Sequence, residues 1–85
     1  MSYAVRWRDV AERHLLFLLL RAVDKPGLWA VARSVDELLQ VNPRDEGESR
    51  ADNFRILFVR PLCIFFQVDD TNRTVIIEDV GLVGE

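Results

Sequence analysis

The chain has 85 residues, 49% of them hydrophobic, and a formal net charge of −3. A chain of this length folds as one domain with a thin core, and its apolar content is too high for intrinsic disorder. No apolar run approaches the roughly 20 residues of a membrane-spanning helix, and the lone cysteine, Cys63, excludes an intramolecular disulfide. We therefore expect one domain over residues 1–85, located in the cytoplasm, with no cofactor and no metal.

Basic side chains do not form a stripe along the sequence. Residues 1–41 carry six basic and five acidic side chains, and residues 42–60 carry four of each. Residues 61–85 carry one basic and five acidic side chains. Proteins that bind nucleic acid usually concentrate basic residues, because neutralised phosphates supply most of the affinity. The composition therefore argues against tight binding of RNA or DNA.

Residues 3–8 are predicted to form a strand, because apolar and polar side chains alternate there. A helix is predicted over residues 9–23. Its apolar positions recur at helical spacing: Ala11, Leu15, Leu16, Leu18, Leu19, Ala22 and Val23. Phe17 and Leu20 make this stripe wider than one contact with a sheet requires. We expect the helix to be buried on more than one side or to offer a surface to a partner.

A second helix is predicted from Pro26 to the Asn42-Pro43 pair that ends it. Its apolar residues have the clearest helical period in the chain: Leu28, Val31, Ala32, Val35, Leu38 and Leu39. Residues 42–53 are polar, show no apolar period and are long for an ordinary loop. Loops of this kind are either functional or mobile.

Three consecutive strands are predicted over residues 54–60, 62–68 and 73–80, where β-branched and aromatic residues dominate. Proline cannot donate to a strand ladder, so a tight corner is expected at Pro61. Residues 69–72 supply a second turn. The predicted fold is therefore α+β with the order β-α-α-β-β-β: a twisted, mainly antiparallel sheet with a helical hairpin packed on one face.

Several segments, taken in order, match the pattern of a known family. They are Tyr3-Ala4-Val5-Arg6-Trp7, Asp9-Val10-Ala11-Glu12, Leu38-Leu39-x-x-Asn42-Pro43, Phe54-Arg55-Ile56-Leu57, Pro61-Leu62-Cys63-Ile64, Phe66-Gln67-Val68-Asp69 and Val75-Ile76-Ile77. In this order the chain resembles the RelE/ParE superfamily of toxins from bacterial type II toxin–antitoxin (plasmid stabilisation) modules.

The resemblance implies a cytoplasmic toxin that a cognate antitoxin neutralises by wrapping its sheet and helices. Members of this family act in two ways. RelE-like toxins are mRNA interferases that cut mRNA on the ribosome with basic residues, which stabilise the charge that develops on the phosphate. ParE-like toxins poison DNA gyrase. Ribosome with mRNA, or gyrase, is therefore the implied cellular partner.

The basic residues of RelE-like toxins have few counterparts in this sequence. Their positions in the second and third strands of the family pattern fall on Leu57, Val59 and Cys63, with Arg60 one residue away from a match. We therefore assign no catalytic residue.

Arg50, Arg55 and Arg60 are the candidate phosphate- or target-binding residues, because guanidinium groups suit phosphates and carboxylates. Arg55 is expected to share a strand face with Leu57. If that face is open, Arg55 lies on a partly apolar surface that suits a partner. The alternative is an ion pair of Arg55 with one of three carboxylates: Asp52, Glu78 or Asp79.

Other reactive side chains have simpler interpretations. His14 has no visible Asp or Ser partner and is interpreted as a packing or surface residue. Cys63 lies in an apolar strand, where burial disfavours the thiolate. Asp69 and Asp70 suit a turn. Glu78 and Asp79 point to opposite faces of a strand, which is poor geometry for a metal or a shared proton.

Three hypotheses of function follow. The first is a toxin of a toxin–antitoxin module that acts by binding protein. The second is a ribosome-dependent mRNA endonuclease with a rearranged set of arginines. The third is an inactive family member kept as a dimeric fold, since surplus apolar surface in so short a chain also suits a homodimer.

Overall fold

A computed structural model describes residues 2–83 of the chain. Over that range the protein forms two α-helices and a five-stranded sheet. The elements are β1 (Ala4–Trp7), α1 (Asp9–Arg21), α2 (Lys25–Val41), β2 (Glu48–Ser49), β3 (Phe54–Val59), β4 (Leu62–Asp69) and β5 (Thr74–Leu82). The predicted α+β class and helical hairpin are confirmed, and β2 is an addition to the predicted order.

The strands lie in the sheet in the order β1-β5-β4-β3-β2. β1 pairs in parallel with β5, and the other neighbours pair antiparallel, as predicted for a mainly antiparallel sheet. A two-residue turn at Arg60-Pro61, whose peptide bond is cis, joins β3 to β4. β5 contains a bulge opposite Phe65 and Phe66, which places Glu78 outside the regular pairing.

The middle strand β4 shows why one face of the sheet is covered and the other is not. Its residues alternate without exception between buried and half-buried. The buried set is Leu62, Ile64, Phe66 and Val68. Side chains of a strand alternate between its faces, so these four lie under the helices, and burial of each large apolar side chain contributes about 1.5–3 kcal/mol.

The two helices contribute unequally to this core. α2 buries Leu28, Ala32, Val35 and Leu39 at helical spacing, whereas α1 buries Ala11 and Leu15. The Asp24 side chain accepts the Gly27 N–H at 2.9 Å and caps α2. Of the two alternatives predicted for α1, burial on more than one side is not observed, because its other faces are open to solvent. The other alternative, a surface offered to a partner, stays a prediction. In the part of the chain that the structure describes, neither helix is long and apolar enough to cross a membrane.

The polar segment 42–53 is more ordered than its sequence indicates. A 3-10 turn at Pro43–Asp45 follows α2, and β2 then pairs with the beginning of β3. Gly47 has a φ of +71°, and a side chain there would lie 2.2 Å from the carbonyl oxygen of Ile56. Glycine is therefore required where the loop crosses the edge of the sheet.

Candidate functional site

The three arginines selected from the sequence, Arg50, Arg55 and Arg60, are not brought together. Arg50 donates to the Glu48 carboxylate at 3.1 Å, close to the start of β3. Arg55 lies near the start of β3, whereas Arg60 lies just beyond its end. At about 3.3 Å per residue, the backbones of Arg55 and Arg60 are roughly 16 Å apart. The arginines therefore do not form a common phosphate site.

Arg55 lies on the face of β3 that the helices cover, because its neighbour Leu57 on that face is buried. Its guanidinium donates to the carbonyl oxygen of Glu46 at 2.9 Å and to that of Gly47 at 3.1 Å. Among residues 2–83, it bonds to none of the three carboxylates named above as alternatives. Arg55 therefore holds the loop before β2 against β3, and it does not lie on an open apolar surface.

His14 has a carboxylate partner that the sequence does not reveal. Its Nδ1 lies 2.5 Å from Oδ1 of Asp79, and both side chains are half exposed. The two residues are 65 positions apart, so spacing along the chain gives no signal of the contact. Beside this pair, Glu78 accepts from both Arg8 and Gln67 at 2.5 Å. These contacts hold β1, α1, β4 and β5 together.

A second polar cluster joins the start of β1 to two turns. The Tyr3 hydroxyl donates to Asp70 at 2.8 Å, and Arg44 donates to the same carboxylate at 2.7 Å. The pKa of Asp70 is lowered, chiefly by the Arg44 bond and then by the Tyr3 bond. The pKa of Tyr3 is raised, chiefly because its proton is shared with Asp70. The cluster therefore pairs its charges with one another, although the side chains of Arg44 and Asp70 are each about half exposed.

The open face of the sheet, away from the helices, is largely apolar. Phe54 and Phe65 stack with ring centroids 5.0 Å apart, and Phe58 is 54% exposed. The cationic Arg8 on this side is already paired with Glu78. Arg6 of β1 lies on the same face, is exposed and forms no salt bridge among residues 2–83, so the face combines aromatic surface with at least one unpaired guanidinium.

Several large apolar side chains of the helical hairpin are exposed near its turn. Leu16, Phe17 and Leu20 of α1 are 59%, 52% and 75% exposed, and Trp29 of α2 is 49% exposed. We call these four residues the exposed helix surface. Residues three and four apart on a helix are neighbours, so Leu20 lies beside both Leu16 and Phe17, and the three side chains form one patch. Adjacent exposed apolar side chains are typical of surfaces that bind another molecule.

A groove of about 740 Å³ lies between the two helices and adjoins this surface. Leu15 and Ala32 form its floor, and Trp7 of β1 closes one side. The Trp7 indole N–H donates to Asp36 at 2.8 Å, which fixes that carboxylate in the wall. Sequence reasoning identified the wide apolar stripe on the first helix but missed this groove, because Trp7 and Asp36 lie 29 residues apart.

No protein-family model matches the sequence, and no curated protein does. Solved structures do match. A chain of the RelBE2 toxin–antitoxin complex from Mycobacterium tuberculosis has 22% identity and a TM-score of 0.77, over 96% of this chain and 99% of that chain. A chain of the chromosomal ParDE toxin–antitoxin system of P. aeruginosa has 17% identity and a TM-score of 0.73, over 96% and 97% of the two chains.

The free E. coli toxin RelE, as an arginine double mutant, also matches, with 19% identity and a TM-score of 0.73 over 96% of this chain and 84% of that chain. Since that structure contains the toxin without an antitoxin, the likeness is to the toxin component of these systems. The chain therefore has the fold of the RelE and ParE toxins.

Proposed function

We propose that this chain is the toxin of a type II toxin–antitoxin module, that it acts by binding protein, and that a cognate antitoxin neutralises it. The exposed helix surface is the observation that carries the proposal. Burial of these four large apolar side chains, which are 49–75% exposed, contributes roughly 1 kcal/mol per side chain to a complex. Toxin–antitoxin complexes among the structures of the same fold support an antitoxin as the occupant.

Binding is favoured over RNA scission by the distribution of charge. Cleavage of a phosphodiester requires cations that converge on the phosphate as negative charge develops. Arg55 is bonded to backbone carbonyls, Arg50 to Glu48, and Arg60 is at the far end of β3. A ribosome-dependent endonuclease built on these three arginines is therefore less well supported than a protein that binds a target.

Controlled expression in bacteria tests the proposal. Induction of the chain alone is expected to arrest growth, and co-expression of a short antitoxin reading frame beside its gene is expected to restore growth. The double variant Leu16→Lys/Leu20→Lys should arrest growth without being rescued, because it places two charges in the antitoxin contact. Val41→Lys is the matched control, since Val41 is 72% exposed and lies outside the exposed helix surface.

Two results would contradict the proposal. Growth that continues during induction would indicate an inactive fold. Ribosome-bound mRNA cut at codon positions would indicate an endonuclease. Arrest with intact mRNA and broken DNA would identify gyrase as the bound target.

A further inference from the structure

The groove between α1 and α2 has uncompensated negative charge at one end. Glu12, Asp36 and Glu37 line it, together with a single cation, Arg33. Three carboxylates against one guanidinium give the lining a net charge of −2. Within residues 2–83, none of the three carboxylates forms a salt bridge. Asp36 is held in place by its hydrogen bond from Trp7, so its charge has a fixed position in the wall.

The other end of the groove is apolar. Leu16 and Trp29 line it near the turn between the helices, and both side chains are about half exposed. Trp29 and Glu37 are eight residues apart on α2, which corresponds to about 12 Å along the helix axis. The groove therefore changes from apolar to acidic over about two helical turns.

We infer that this groove binds a cationic amphipathic helix of the antitoxin. Leucine or aromatic side chains of that helix occupy the apolar end, and lysine or arginine seven or eight residues away faces Asp36 and Glu37. A helix laid along the groove rises by the same 1.5 Å per residue, so this spacing matches both ends. An acidic segment would place like charges together, which suppresses binding. The inference rests on the proposed function and adds the charge of the partner segment.

Titration of the isotope-labelled full chain with two synthetic peptides, followed by NMR, tests this inference. The first is an 18-residue alanine-based helix with two leucines on one face and two lysines seven or eight residues further on. The second is identical except for glutamate in place of lysine. We expect shifts at Leu16, Trp29 and Glu37 with the lysine peptide, and binding of the glutamate peptide weaker by about tenfold or more.

Charge variants and salt make the test specific. Glu12→Gln/Glu37→Gln should reduce the advantage of the lysine peptide to less than about threefold. Glu48→Gln/Asp52→Asn changes the net charge equally, lies in and just after β2 at the opposite edge of the sheet from β1, and should preserve the advantage. Should the groove variant fail to fold, salt serves instead, because the advantage on the native chain must shrink between low and high ionic strength.

Four outcomes of the peptide titrations overturn the inference. They are equal binding of the two peptides, stronger binding of the glutamate peptide, shifts confined to the open face of the sheet, and no binding of the lysine peptide at millimolar concentration. Self-association of the chain that blocks the groove would overturn it in favour of a second copy as occupant. Growth arrest on induction is measured separately from peptide binding. If the groove does not prefer the lysine peptide, the proposed toxin function is unaffected. If induction does not arrest growth, the preference of the groove for a cationic helix is unaffected.

Discussion

Replacement of Arg55 distinguishes a structural arginine from one that binds a target. The Arg55→Ala variant loses two hydrogen bonds from a charged donor, at 2.9 and 3.1 Å, and leaves the carbonyls of Glu46 and Gly47 without this partner. A hydrogen bond to a charged group contributes about 1.5–3 kcal/mol, and these carbonyls regain part of that from water. We expect the free energy of unfolding to fall by about 2 kcal/mol, as measured by urea denaturation.

The effect should be local to the loop that Arg55 holds. Amide hydrogen exchange at Arg50, whose N–H donates to the carbonyl oxygen of Phe54 at 2.8 Å between the ends of β2 and β3, should accelerate in the variant. Arg55→Lys cannot donate in the same fork and should recover at most about half of the loss. Arg60→Ala, at an exposed turn, is the control and should change stability by less than about 0.5 kcal/mol. An Arg55→Ala protein as stable as the parent would refute the structural role.

Three further changes have expected outcomes. Gly47→Ala should lower the free energy of unfolding by about 2–3 kcal/mol in urea denaturation, because Gly47 has a positive φ and lies close to β3. Gly81→Ala is the control, and it should cost less than about 0.5 kcal/mol because the space around Gly81 is open. Equal effects of the two variants would contradict the close approach of Gly47 to β3. Phe66→Ala removes a fully buried ring from the middle strand and should cost about 3–5 kcal/mol in thermal or urea unfolding; a loss below about 1 kcal/mol would place the core elsewhere. The pKa of Asp70 is lowered, chiefly by Arg44, so its carboxylate stabilises the fold above about pH 4 and loses that effect as the pH falls through its folded-state pKa. Asp70→Asn should therefore flatten the dependence of the free energy of unfolding on acid pH. An unchanged acid profile would contradict this contribution of Asp70.

Patterns sustained over many residues of the sequence were sufficient to predict the main helices and strands. The stripe of α2 depends on burial of one face, which selects side chains along a helix. The three strands over residues 54–80 follow from their β-branched and aromatic composition, which suits a pleated, partly buried surface. The corner at Pro61 follows from the chemistry of proline alone. For these reasons the predicted helical hairpin and strand meander agree with the structure to within two residues at most ends.

Features that depend on contacts distant in sequence could not be predicted. β2 has two residues, too few for any period, and it forms because Gly47 permits the chain to cross close to β3. The pairing of His14 with Asp79 depends on the position of α1 beside β5. The face on which Arg55 lies could not be assigned, because the alternation in β3 is equally compatible with either face under the helices. A wide apolar stripe on α1 suggested a partner surface, but only the packing of α1 on one side identifies the exposed residues.

Whether this toxin fold works without cutting RNA is tested most directly by primer extension on ribosome-bound mRNA in a purified translation system containing the protein. We expect full-length extension products alone, because Arg50, Arg55 and Arg60 do not converge on a phosphate. A product that ends within the codon in the ribosomal A site, and that disappears with Arg60→Ala, would contradict this account.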